Sequence, residues 1–172
     1  MNHATELISC AFDDRDVKYR ATEMDVVSMV EAGFSIDAGP NVIVRFISTD
    51  ENNDVAIRVY GLIHSIPVEK RAIMLEVCNR LNETIRFVKF YLDKDSNVNV
   101  EADLPVEIGD ENLGACCFEL FVRIMRILND KYHVLAEALY QDETDIQHNH
   151  KNLMQFLKEM REMPIAVNGE TS

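Results

Sequence analysis

The chain has 172 residues, 47% of them hydrophobic, enough to bury a domain core without disulfide or metal staples. Its 17 Lys and Arg against 30 Asp and Glu leave a net charge of −13 at pH 7. A surface of that sign repels phosphate backbones and anionic lipid, which excludes duplex nucleic acid and membrane surfaces as expected partners.

Residues 4 to 14 form a predicted helix with Leu7, Ile8, Cys10 and Ala11 on one side, broken by Asp13, Asp14 and Asp16. Val26, Val30, Ala32, Phe34 and Ile36 alternate as a strand, with Ser28 the exception, although Met29-Val30-Glu31-Ala32 is equally compatible with a helical turn. Gly39-Pro40 marks a turn. Val42 to Ser48 is a second strand, rich in β-branched residues. A third runs from Val55 to His64 after the turn-formers of residues 49–53. These linkers are too short for crossovers, so the three strands form an antiparallel meander. Pro67 opens a helix to about Asn82, with Ile73, Met74, Val77, Cys78 and Leu81 on its apolar face.

Residues 85–104 then alternate on both sides of Asp93-Lys94-Asp95-Ser96-Asn97, the pattern of a β-hairpin with one buried face. Asp110 is a plausible N-cap for a long helix carrying Leu113, Cys117, Leu120, Phe121, Ile124, Ile127, Leu128, Leu135 and Leu139, with Asn129-Asp130 a candidate interruption. Thr144 and Gln147 match a capping box for a last helix with Leu153, Phe156, Leu157 and Met160 on one stripe. The expected domain organisation is an α+β domain over 1–141, a C-terminal helical appendage over 142–163 and a disordered tail over 164–172. The expected fold is α+β: a five-stranded antiparallel sheet with helices packed on one face.

One sheet face reads as core: Val55, Ile57, Val59, Val88, Phe90, Leu92, Val98 and Val100. The other should be polar if it met only water. Instead it carries Tyr60, Leu62, Phe87 and Tyr91 among Arg45, Arg58 and Lys89, with Ile43 and Ile47 beside them. Aromatics interleaved with Arg match the composition of an interface core. A scatter of exposed apolar residues is the plainer alternative. The candidate interaction face is Arg45, Arg58, Tyr60, Leu62, Phe87, Lys89 and Tyr91.

No catalytic, cofactor or metal residue is singled out. The Asp93–Asn97 stretch begins like a calcium loop, but Val98 stands where a glycine is needed and Leu104 where a bidentate Glu is needed, so a hairpin turn is expected. His148 and His150 would point to nearly opposite sides of a helix. His64 and His133 have no acid or nucleophile at a fixed spacing. Arg123 and Arg126 read as a solvated pair. Met154, Met160 and Met163 read as ordinary packing, with peptide binding the alternative. Phosphate-cradling loops, GxSxG and HExxH are all missing. Cys10, Cys78, Cys116 and Cys117 form no CxxC pair and are expected as reduced thiols. With no apolar run near the roughly 20 residues of a membrane span and no signal-peptide pattern, the expected location is cytoplasmic.

Asn79-Arg80-Leu81-Asn82, Arg86-Phe87, Lys89-Phe90, Leu92-Asp93, Val98 and Asp103-Leu104-Pro105 together resemble the YbjN-like family, described as "putative bacterial sensory transduction regulators". The resemblance spans residues 4 to 140. The chain departs from the family pattern at Asn97, where a turn glycine is common, and in the added helix from Asp145 to Met163. The resemblance implies a fold similar to type III secretion chaperones and a small cytoplasmic bacterial protein that works by binding, often as a homodimer. It supplies no catalytic residues. The expected function is therefore non-enzymatic: a dimeric chaperone-like or regulatory module holding a partner protein or peptide on its sheet face. The alternatives are a small-ligand protein or enzyme with a polar pocket invisible in sequence, and a structural subunit docking through the last helix.

Overall fold

The computed structural model describes residues 2–25, 27–49, 55–104 and 109–140. The chain divides into two compact units, Met1–Leu139 and Tyr140–Ser172. The described residues belong to the first apart from Tyr140, so the predicted helix over 145–163, with His148, His150 and its methionines, lies outside them.

The elements run α1 (His3–Asp13), β1 (Tyr19–Met24), β2 (Val27–Ser35), β3 (Asn41–Thr49), β4 (Val55–Ile63), α2 (Arg71–Thr84), β5 (Lys89–Leu92), β6 (Val98–Leu104) and α3 (Asp110–Tyr140). A 3-10 turn, Val68–Lys70, leads into α2. The sheet has six strands in the order β1-β2-β3-β4-β6-β5, and every pairing is antiparallel.

The expected five strands become six because β1 lacks the signal that reveals a strand. Its sequence YRATEM has no run of alternating apolar residues, and none of its residues is fully buried. As an edge strand it is held by its ladder to β2, Tyr19 opposite Ala32 through Met24 opposite Val27. Asp25, with φ of 45°, follows the last residue of β1. The Asn129-Asp130 interruption does not occur. The α3 helix is continuous over 31 residues, and Asn129 instead accepts a hydrogen bond at Oδ1 from the Asp37 backbone N–H at 2.9 Å.

Helical spacing places Leu113, Cys117, Phe121, Ile124, Leu128 and Leu135 on one buried stripe of α3. On α1, Ile8 and Phe12 are completely buried. The Phe12 ring meets Phe46 of β3 edge-on at 5.4 Å and Phe121 of α3 at 5.6 Å, tying helix, sheet and helix together. Gly114 allows the two helices to approach closely, since a Cβ there would stand 2.5 Å from the Leu7 carbonyl oxygen. The inward face of the strands supplies Val30, Val44, Phe46, Val55, Ile57, Val59, Phe90, Val98 and Val100 to the same core. Val88 is buried as expected, and Leu92 is partly buried against the cluster.

The two sheet edges end differently. β5 is four residues long, and Asn82 of α2 closes its outer side. The Asn82 side chain donates from Nδ2 to the Phe90 carbonyl at 2.9 Å and accepts at Oδ1 from the Phe90 N–H at 2.8 Å, much as another strand would. Lys89 completes this corner, its Nζ donating to the carbonyls of Asn82 and Ile85 at the end of α2.

Candidate functional site

The face of the sheet away from α1 and α3 is the candidate site, and the register of the strands organises it. Arg20 stands opposite Glu31, Glu31 opposite Arg45, Arg45 opposite Arg58, Arg58 opposite Glu101, and Glu101 opposite Lys89. A single row of ionisable residues thus crosses all six strands, with signs + − + + − +. Sequence reading found Arg45, Arg58 and Lys89 but missed Arg20, Glu31 and Glu101. The signal for them was the pairing itself, which unites positions up to 81 residues apart (Arg20 and Glu101) and requires β1 to be recognised as a strand.

Glu31 is the anchor of the row. Only 7% of its side chain is exposed, and its carboxylate accepts from Arg20 Nε and Arg45 Nε, each at 2.9 Å. A further contact to Arg20 Nη2 makes that pair bidentate from the guanidinium side. The Arg20 hydrogen bonds lower the Glu31 pKa against the opposing effect of burial, with the charge of Arg45 assisting. Arg58 turns toward β6, donating from Nη1 to the Ala102 carbonyl at 3.0 Å and to Asp103 Oδ1 at 2.7 Å. Arg45 lies over the ring of Tyr60, its Cζ 5.5 Å from the centroid.

The apolar part of this face is Ile43, 46% exposed, and Tyr60, 50% exposed, with Tyr91 half-buried beside Glu101 and Asn99. Burial raises the Tyr91 pKa, and the Glu101 charge raises it further. Near Ile43 and Tyr60 the surface dips into a cleft of about 130 Å³, lined also by Asn41, Arg45, Gly61 and His64. That is well below the ~300 Å³ at which small-molecule pockets begin.

Two residues expected on this face lie elsewhere. Leu62 is 4% exposed and belongs to the core. The β4–β6 ladder shifts register between Val59 and Ile63, where Gly61 takes a φ of 64°, so simple alternation fails beyond Tyr60. Phe87 precedes β5 rather than lying in it. Its own φ of 68° breaks the extended run, and its ring lies 5.4 Å from the guanidinium of Arg123 on α3. Arg123, read in sequence as part of a solvated pair, therefore has an aromatic partner.

The acidic turn after β5 is a hairpin turn whose carboxylate is already used. Asp93 accepts at Oδ1 from the N–H groups of Asp95 and Asn97 and at Oδ2 from Asn99 Nδ2. The Asn97 N–H is the main cause of its lowered pKa. Asn99, 2% exposed, passes the network on by accepting from the Gly61 N–H at 2.7 Å. Among the described residues no cluster of three or more His, Cys, Asp or Glu could hold a metal ion. All four cysteines are free. Burial pushes the Cys78 thiol up to about 11 and raises that of Cys117 further, which leaves both as packing groups.

The family model described as "Putative bacterial sensory transduction regulator", YbjN, matches residues 6–132, from α1 into α3. The chain belongs to the YbjN family. No curated protein and no solved structure matches it. The YbjN match covers every strand, including both edges and the charged row, so that row sits within the family domain. The family description names a regulator and no reaction. Among the described residues no helix is long and apolar enough to cross a membrane.

Proposed function

We propose that this YbjN-family chain is a non-enzymatic interaction module, a chaperone-like or regulatory protein of the cytoplasm, and that the open face of its sheet holds a partner protein or peptide. The observation that carries the reading is the pairing of two unlike faces. One is sealed by α1 and α3 through Phe12, Phe46 and Phe121. The other has no helix over it among the described residues and presents Ile43 and Tyr60 half-exposed within a row of charges. Apolar anchors set among arginines are the composition that partner surfaces favour. The small cleft beside Tyr60 gives no comparable support to a small-ligand or enzymatic reading.

Likeness to type III secretion chaperones and a homodimeric state are part of the same proposal. The outer edge of β1 is a surface through which a second copy could associate without covering the charged face, since the opposite edge is closed by Asn82. The test is the double substitution Tyr60→Asp, Tyr91→Asp in the full chain. Pull-downs from native lysate should lose the proteins that wild type retains, while far-UV circular dichroism stays unchanged. Unchanged retention would make this face ordinary surface.

A further inference from the structure

The open face combines three features that together specify the chemistry of its occupant. First, Arg45 and Arg58 are direct cross-strand partners. Like charges so placed oppose folding, and a local rule broken in this way marks a site where function outweighs stability. Second, much of both guanidiniums is unused. Arg45 donates only from Nε, to Glu31, and Arg58 only from Nη1, so among the described residues the Arg45 amino groups and the Arg58 Nε and Nη2 bond no acceptor. Third, the adjoining cleft is lined by Arg45, Tyr60, Asn41 and His64, with no Asp or Glu among its described lining residues.

The charge balance adds to this. The strands present Arg20, Arg45, Arg58 and Lys89 on the open face against Glu31, Glu101 and Asp103, or 4 − 3 = +1. The whole chain is −13, so the remainder carries −13 − 1 = −14. The strand positions of this face thus lack the acidic excess of the rest of the molecule, and the free donors of Arg45 and Arg58 beside the acid-free cleft are its cationic part.

The order of the row also bears on a second copy as occupant. The signs + − + + − + read the same in both directions. A two-fold axis lying between two such faces and centred on the row would set Glu31 over either Glu31 or Glu101, and Arg45 over either Arg45 or Arg58. Like charges would face each other throughout.

We propose that the occupant of the open face is an acidic polypeptide segment, its carboxylates meeting Arg45 and Arg58 and an apolar side chain resting on Tyr60 and Ile43. This rests on the reading of the face as an interaction surface and specifies the partner class. Six strands spaced about 4.8 Å apart span about 24 Å, which roughly seven extended residues cross.

The probe is a fluorescein-labelled peptide repeating Glu-Ser-Leu-Ser, which sets Glu and Leu on one face of an extended segment, compared by fluorescence anisotropy with its Gln-for-Glu and Lys-for-Glu counterparts on the full chain. The Glu peptide should bind, and its affinity should fall as salt rises. Arg45→Gln and Arg58→Gln should each weaken it about tenfold, whereas Arg126→Gln, on exposed α3 surface, should not. Equal binding of the Gln peptide, no binding of the Glu peptide, or an equal loss in Arg126→Gln would overturn the proposal. If Arg45→Gln does not fold, the peptide comparison and the salt series still decide it. Failure with all peptides, together with lost partner retention in the Tyr60→Asp, Tyr91→Asp variant, would discard the acidic partner and keep the interaction face. A dimer dissolved by that variant, seen by light scattering, would identify a second copy as the occupant.

Discussion

Glu31 illustrates how one side chain can be both structural and functional. A carboxylate with 7% exposure would be costly alone, but two guanidiniums satisfy it. Arg20 is 75% exposed, so solvent screens much of that half of the interaction. Glu31→Gln should therefore destabilise the domain by about 1–2 kcal/mol at neutral pH, read from urea midpoints. The sign of the pH dependence follows from the lowered pKa. The ionised carboxylate contributes fully above the ordinary carboxylate value of 4.5, and its contribution is lost as pH falls through the lower folded value. The gap between wild type and Glu31→Gln should accordingly narrow only on the acid side of that value. A gap that instead closes on going to alkaline pH would remove Glu31 as the anchor of the row.

At the scale of elements, the edges of the sheet are treated asymmetrically. Asn82 occupies both backbone groups of Phe90, while β1 ends the other side with no such plug among the described residues. Asn82→Ala should cost about 1–2 kcal/mol, because two polar groups beside a buried residue lose their partner. It should also speed amide exchange at Phe90 relative to Val100 on the neighbouring strand, and uniform acceleration along β6 would contradict a local closure. Asn82 was legible in sequence only as a helix-end residue within the family motif. Its role appears when α2 is laid beside β5. Phe87 and Leu62 went astray for a related reason. Alternation assumes unbroken extended backbone, and left-handed residues at Phe87 and Gly61 interrupt it.

At the scale of the molecule, the excess of acid is distributed unevenly, and the strand positions of the sheet's open face do not share it. Self-repulsion of the remaining surface favours solubility and opposes non-specific association, so an attractive patch stands out against it. The domain boundary expected at residue 141 belongs to this scale too. We propose that 1–141 folds by itself, the core running through α1, the sheet and α3. Deleting residues 142–172 should leave the unfolding free energy of the domain, read from denaturant titration, within about 0.5 kcal/mol of the full chain, as for substitutions outside the core. Loss of cooperative unfolding would refute it.

Periodicity alone determined most of the elements, because burial writes a period of two or 3.6 into any strand or helix with one covered face. It also determined the meander, the inward residues of β4, β5 and β6, and that the second face carries Arg45, Arg58, Tyr60 and Tyr91. Tertiary structure alone decided the sixth strand, since an edge strand is held by backbone pairing and needs no apolar alternation. It alone decided the charged row as well. Cross-strand neighbours are set by register, and register joins Arg20 to Glu31, Arg45, Arg58, Glu101 and Lys89 across distances in sequence that no local pattern spans.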